Sequence, residues 1–132
     1  MVPHSHGNGV CNCPIETSMV HIGRKWSINI LRDLFSGRKR FKDFLDANPK
    51  LSTKMLSARL KELERDRFIE KKVVSTTPLI AEYGLTQKGR ALDRILYELS
   101  VFSINHCCDE VGRLTPAQKE KALSEVREML GL

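Results

Sequence analysis

Four cysteines and a neighbouring histidine are the side chains of this sequence best suited to covalent or metal chemistry. Cys11 and Cys13 stand two apart near the start, and His106, Cys107 and Cys108 are consecutive near the far end. Cys13 precedes Pro14, and proline suits the first turn of a helix. The partial positive charge at a helix start favours a thiolate over a thiol, so Cys13 is the reactive candidate. If the two ends of the chain meet at an interface, Cys11, Cys13, His106, Cys107 and Cys108 could instead ligate a metal. Cys-x-Cys and Cys-Cys lack the usual two-residue zinc gap, however, so no metal and no cofactor are expected. Buried structural thiols are the third reading, since a buried Cys behaves as a small hydrophobe. For catalysis, Cys13 with His21, or Cys107 with His106, would need an orienting third group, and none is evident. There is no Gly-rich phosphate loop, no His-Glu-x-x-His and no nucleophile elbow, so no enzymatic activity is expected.

The second chemistry is that of cations. The net charge is +6. Between Arg24 and Arg94 there are 18 Lys and Arg against 9 Asp and Glu, a net of +9, while the flanks contribute −1 and −2. A basic centre with mildly acidic flanks suits a polyanion. Aromatic residues make up only 6% of the chain, which argues against binding single-stranded nucleic acid through stacked rings. Within this centre, Leu51–Arg67 reads as a helix. Leu56, Leu60 and Leu63 fall on one stripe at about 100° per residue. Ser52 caps its start, and Leu51 with Leu56 forms a hydrophobic staple. The opposite face carries Lys54, Ala58, Lys61 and Arg65, with Ser57 on its flank. Small and basic side chains there allow close approach to a major groove, with Lys54 and Ser57 expected at base edges and Ser52, Thr53, Arg59 and Lys61 beside them on the backbone.

The surrounding segments position that helix. A first helix is expected over Pro14–Gly23, with Ile15, Met19 and Ile22 sharing a face, and a second over Trp26–Phe35, ended by Gly37. A short third helix covers Phe41–Ala47, and Pro49 prevents its continuation. A short helix, a tight turn and a helix with a basic outer face make a helix-turn-helix, with Arg38, Lys39 and Arg40 placed near the sugar-phosphate backbone. Phe68–Leu85 alternates as a β-hairpin, or wing, whose tip offers Thr76 and Thr77 to phosphate or minor groove. Thr86 caps a long helix reaching about Val111. Leu92, Ile95, Leu96, Leu99 and Phe102 form one of its stripes, and Tyr97, Val101, Ile104 and Cys108 another. A helix apolar on two faces needs two partners, here the domain and a symmetry mate, or else the last helix. That last helix begins with a capping box at Thr115-Pro116 and Gln118. The fold class is α+β, mainly α: a winged helix-turn-helix with extra N- and C-terminal helices forming a dimer interface. Residues 1–10 read as a disordered tail, 11–104 as the domain with the start of its dimerisation helix, and 105–132 as a helical extension. The N-terminus lacks an apolar signal region and no run approaches a membrane span, so a cytoplasmic location without membrane contact is expected.

Taken in order, Cys13-Pro14, Ile22-Gly23-Arg24-Lys25-Trp26 with Ile30-Leu31, Arg40-Phe41 with Phe44-Leu45, Leu51-Ser52-Thr53-Lys54-Met55-Leu56 with Leu60, Leu63 and Glu64, and Ala81-Glu82-Tyr83-Gly84-Leu85-Thr86 with Gly89 resemble the HxlR-type winged helix-turn-helix regulators, relatives of the MarR group. The resemblance covers about Cys13 to Leu99. It implies a homodimeric regulator of transcription on double-stranded DNA, of the repressor type, paired through its N-terminal and long C-terminal helices and without catalytic activity. Some members of that family use the cysteine before this proline as a thiol switch for oxidants or electrophiles; the matching residue here is Cys13, and Cys11 could serve as its resolving partner. A disulfide within Cys11-Asn12-Cys13 is strained, so a bond between subunits, or to Cys107 or Cys108, is the easier one. A small-molecule effector, a metal-responsive regulator and a winged-helix protein-interaction module without DNA stay open as alternatives. The chain departs from the family pattern at Arg24, where a second Gly is usual, and beyond Asn105.

Overall fold

In a computed structural model that describes residues 13–107 and 114–132, the element order is α1 (Pro14–Ile22), α2 (Ser27–Phe35), α3 (Phe41–Ala47), α4 (Thr53–Arg65), β1 (Ile69–Thr76), β2 (Leu79–Leu85), α5 (Gln87–Arg90), α6 (Asp93–His106) and α7 (Pro116–Leu130). The winged helix-turn-helix is therefore present, mainly helical with one two-stranded antiparallel sheet. One apolar cluster unites it. Ile30, Leu31, Phe44 and Leu56 are fully buried, Leu60 and Leu63 nearly so, and Phe68, Ile69 and Leu85 seal the base of the wing.

Local chemistry explains the boundaries. Ser52 Oγ accepts the Met55 N–H at 3.1 Å, so α4 starts at the expected cap. Its end is a Schellman motif: the Phe68 N–H donates to the Leu63 carbonyl and the Arg67 N–H to that of Glu64, with Arg67 at φ 65. The α2 end is built the same way around Gly37 at φ +95, with the Arg38 N–H on the Asp33 carbonyl. α2 begins one residue later than expected. Trp26 takes a left-handed conformation, φ 78, and is its N-cap rather than its first turn.

The long helix predicted from Thr86 is two helices. Thr86 Oγ1 accepts the Gly89 N–H and donates to the Arg67 carbonyl, which ties α5 to the start of the wing. Gly89 then lies so close to the Phe68 carbonyl that any Cβ would collide with it. After this pinned turn the chain re-aims at Ala91 and Leu92, where ψ is −11 and −1, and the Leu96 N–H to Leu92 carbonyl bond opens α6. The expected continuation from Cys108 to Val111 lies outside the described residues, as do the tail 1–10 and Cys11. The α6 stripes also divide differently. Leu92, Leu96 and Ile104 face inward, whereas Ile95, Leu99 and Phe102 are 41–60% exposed. α7 begins with the expected Thr115–Gln118 capping box and packs along α6.

Candidate nucleic-acid interface

The expected duplex-binding side chains rest on three supports. The first is α4, seated by Leu56, Leu60 and Leu63, which leaves Ser52, Thr53, Lys54 and Lys61 exposed and Ser57 half-buried. The second is the turn Arg38-Lys39-Arg40, exposed throughout yet fixed by its backbone. Asp43 Oδ2 accepts the N–H groups of Lys39 and Arg40, at 3.3 and 3.0 Å. The Lys39 carbonyl accepts the Tyr83 N–H at 2.7 Å, which stitches this turn to β2. The Lys39 side chain is 64% exposed, with Nζ 3.9 Å from Glu82 Oε2. The third support is the wing. Ile69 pairs with Leu85 and Thr76 with Leu79, with a bulge between Val73 and Ser75, and Thr76 and Thr77 stand exposed at the tip.

Lys71 was not among the candidates read from sequence. It lies opposite Tyr83 in the wing register and joins Ser57, Lys61 and Tyr83 around a surface recess of about 340 Å³ between α4 and the wing. Strand parity would have found it, since Lys71 and Ile69 share one face of β1. Burial, with the nearby charge of Glu64, raises the Tyr83 phenol above its ordinary value, so Tyr83 lines that recess as a neutral hydroxyl.

Arg59 is placed otherwise than expected. Its side chain is only 15% exposed; Nε donates to the Lys25 carbonyl at 2.8 Å, and Nη1 lies 3.1 Å from Glu62 Oε2. Arg24, the departure from the family pattern, reaches the same carboxylate at 2.9 Å. His21 Nδ1 lies 3.2 Å from Asp66 Oδ2 at the C-cap of α4. The end of α1 and the following turn are thus fastened to the back of α4, and Arg59 belongs to that fastening.

Three carboxyls of this framework sit below their ordinary values. Asp43 is lowered by the Arg40 and Lys39 backbone N–H groups. Burial pushes Glu62 upward, but Arg24 and Arg59 together outweigh it. Asp66 is lowered first by His21 and then by Arg65, against a smaller effect of burial. A carboxyl depressed in the folded state stabilises the fold above its unfolded value, and that contribution disappears as pH falls through the folded value. The melting temperature, followed by calorimetry, should therefore hold from neutrality to about pH 5 and fall below about pH 4. Glu62→Gln should flatten part of that fall.

Of the cysteines, Cys13 is buried at the N-cap of α1 and Cys107 is exposed just beyond α6. Cys11 and Cys108 lie outside the described residues. Among the described residues no three His, Cys, Asp or Glu side chains gather as a metal site, and no helix is long and apolar enough to cross a membrane.

A family model of HxlR-like helix-turn-helix proteins matches residues 21–111. The chain belongs to that family. Its relatives include two HTH-type transcriptional regulators of Bacillus subtilis (strain 168). YdeP, an uncharacterised HTH-type transcriptional regulator, is 36% identical over 107 residues, covering 81% of this chain and 83% of YdeP. The HTH-type transcriptional regulator YodB is 37% identical over 101 residues, covering 76% of this chain and 89% of YodB. The solved reduced form of YodB superposes with a TM-score of 0.65 over 76% of this chain and 98% of that one. The reduced form of the redox regulator HypR, 31% identical, superposes at 0.69 over 76% of this chain and all of its own. The HxlR-like match begins at His21, where α1 is fastened to α4, and spans α2–α6.

Proposed function

We infer that this chain is a DNA-binding transcriptional regulator that acts as a homodimer and represses by occupying its site. The observation that carries the reading is a recognition helix with Lys54, Ser57 and Lys61 open to a groove, bracketed by a pinned basic turn and a wing with Lys71 beside it. Each protomer places the first turns of α4 in a major groove, with half-sites about one helical turn apart. Lys54 and Ser57 read base edges. Ser52, Thr53, Lys61, Arg38, Lys39, Arg40, Thr76 and Thr77 hold phosphates. Arg59, spent on Lys25 and Glu62, supports the helix from behind.

Dimerisation is supported by exposed apolar side chains on two helices: Ile15, Met19 and Val20 on α1, 53–75% exposed, and Ile95, Leu99 and Phe102 on α6. The similarity to the redox regulator HypR, and to YodB solved in reduced and diamide-treated forms, together with Cys13 at the start of α1, supports a thiol switch. Modification of Cys13 displaces α1, and the His21–Asp66 and Arg24–Glu62 contacts carry the displacement to α4.

Binding to the DNA upstream of its own gene, against a scrambled duplex and across a salt series, tests this. The expected result is preferential binding that declines steeply with salt. Mild thiol oxidation should release the DNA from the wild type and not from Cys13→Ser. Lys39→Ala should weaken both duplexes alike and flatten the salt slope by about one unit. A folded dimer that binds neither duplex would favour the protein-interaction reading.

A further inference from the structure

Between α2, α6 and α7 lies a cleft of about 430 Å³, within the usual range for small-molecule sites. Its walls are aliphatic, with Ile28, Leu96 and Met129 among them, and the polar side chains among the described lining residues are Arg32, Ser100 and Ser103. Among the described residues, Arg32 is the one charged residue of the lining, and no acid lines the cleft opposite it. The guanidinium is only partly used. Nε and Nη2 donate to Asp33 Oδ1, at 3.2 and 3.0 Å, and Nη2 donates to Asn48 Oδ1 at 3.2 Å. Among the described residues, Nη1 makes no hydrogen bond.

The far side of that guanidinium is the helix-turn-helix itself. Asp33 is 1% exposed and Asn48 5%. Asn48 caps the end of α3, and its Nδ2 donates to Asp33 Oδ2 at 2.7 Å and to the Phe44 carbonyl at 2.8 Å. The Asn48 carbonyl accepts the Leu51 N–H at the entry to α4. Arg32 therefore spans from an apolar cleft to the turn that aims the recognition helix.

We propose that this cleft binds a small apolar carboxylate, with its headgroup on Arg32, and that binding weakens the hold on DNA by drawing Arg32 away from Asn48. One cation at the end of an aliphatic cleft matches a single negative charge on an apolar body; a phosphate dianion would need more donors than the cleft offers. An apolar segment from a second copy would leave the spare guanidinium donor unmatched. A guanidinium shared among two carboxylates and a neutral amide gives up the amide first, because its charge-assisted bonds are the stronger ones. Asn48 Oδ1 is that amide, so the change is delivered to the α3–α4 turn. This inference rests on the DNA-binding reading only in its second half.

The test uses the full chain with cyclohexanecarboxylate, octanoate and a naphthalenecarboxylate, each against its primary amide. Without DNA, the acids should raise the melting temperature and give saturable heat in calorimetry at millimolar concentration, and the amides should do neither. Arg32→Met should abolish the effect. Ser100→Leu, which fills the cleft and leaves the Asp33 contacts in place, should abolish it as well and keeps the test decisive if Arg32→Met fails to fold. At saturating acid, DNA affinity should fall by about tenfold, the scale expected when one hydrogen bond to a charged group is lost. Equal effects of acid and amide, no binding by any of the acids, or undiminished binding to Ser100→Leu would overturn the site. Dissociation of the dimer on adding acid would overturn it too, by showing that the cleft holds a second copy. Binding of acid with unchanged DNA affinity would overturn the coupling. Failure to bind DNA before any acid is added would count against the regulator reading and leave the calorimetric result standing.

Discussion

Lys54→Ala is expected to lower affinity for the preferred duplex by about ten- to a hundredfold, the equivalent of roughly 1–3 kcal/mol for one base-reading side chain. Affinity for a scrambled duplex should fall far less, because only one phosphate-range charge is lost. The expectation follows from position. Lys54 lies in the first turn of α4, exposed and ahead of the Leu56–Leu60–Leu63 stripe that seats the helix, so its removal leaves the core intact. Equilibrium anisotropy on both duplexes decides the matter. Equal losses on the two would make Lys54 a phosphate contact and move base reading to Ser57 and its neighbours.

The second large effect concerns the fold. Gly89→Ala should destabilise the protein by about 3 kcal/mol, near the upper end of what overpacking usually costs. The melting temperature should drop by roughly 10–15 °C. The new methyl would meet the Phe68 carbonyl oxygen and crowd Leu85 Cδ2 at 3.0 Å. The Phe68 carbonyl accepts the Thr86 N–H and its hydroxyl, and the Phe68 N–H donates to the Leu63 carbonyl at the end of α4, so Phe68 has little room to retreat. Gly84→Ala is the matched control. It sits on β2 with nothing within 4 Å of an added Cβ, and it should change the melting temperature little. If the two variants melt alike, the close approach of α5 to the wing is not what holds that corner.

Much of this architecture was legible in the sequence because it is written in local signals. Ser52, Gly37 and Thr115 each act within three or four residues, and the Leu56–Leu60–Leu63 stripe needs only helical periodicity. What escaped depends on contacts between segments. Arg59 and Lys61 look alike in sequence, two cations on one helix. Only the approach of the Lys25 carbonyl and of Arg24 across Glu62 sends the first inward and leaves the second to solvent. Asp33 would pass for a solvated helix residue, yet Arg32 and Asn48 bury it. The break after α5 carries no proline. Its cause is a glycine pressed against a backbone carbonyl far away in the chain. The α6 stripes merge in sequence because Ile95 and Leu96 are adjacent, and only packing against the core and α7 separates the inward residues from the outward ones.

The fastening of α1 to the rear of α4 gives the recognition helix the mechanics of a lever. His21, Arg24 and the Lys25 carbonyl all grip its C-terminal half, at Asp66, Glu62 and Arg59, while its groove-facing residues lie near the other end. At 1.5 Å per residue, the 13 residues of α4 make an arm of about 20 Å. A tilt of about 10° pivoting at the gripped end sweeps the tip through roughly 3.4 Å, one base-pair step of the duplex. The arm therefore multiplies small adjustments of α1 into a whole unit of register, and a helix out by one step presents Lys54 and Ser57 to the wrong pair.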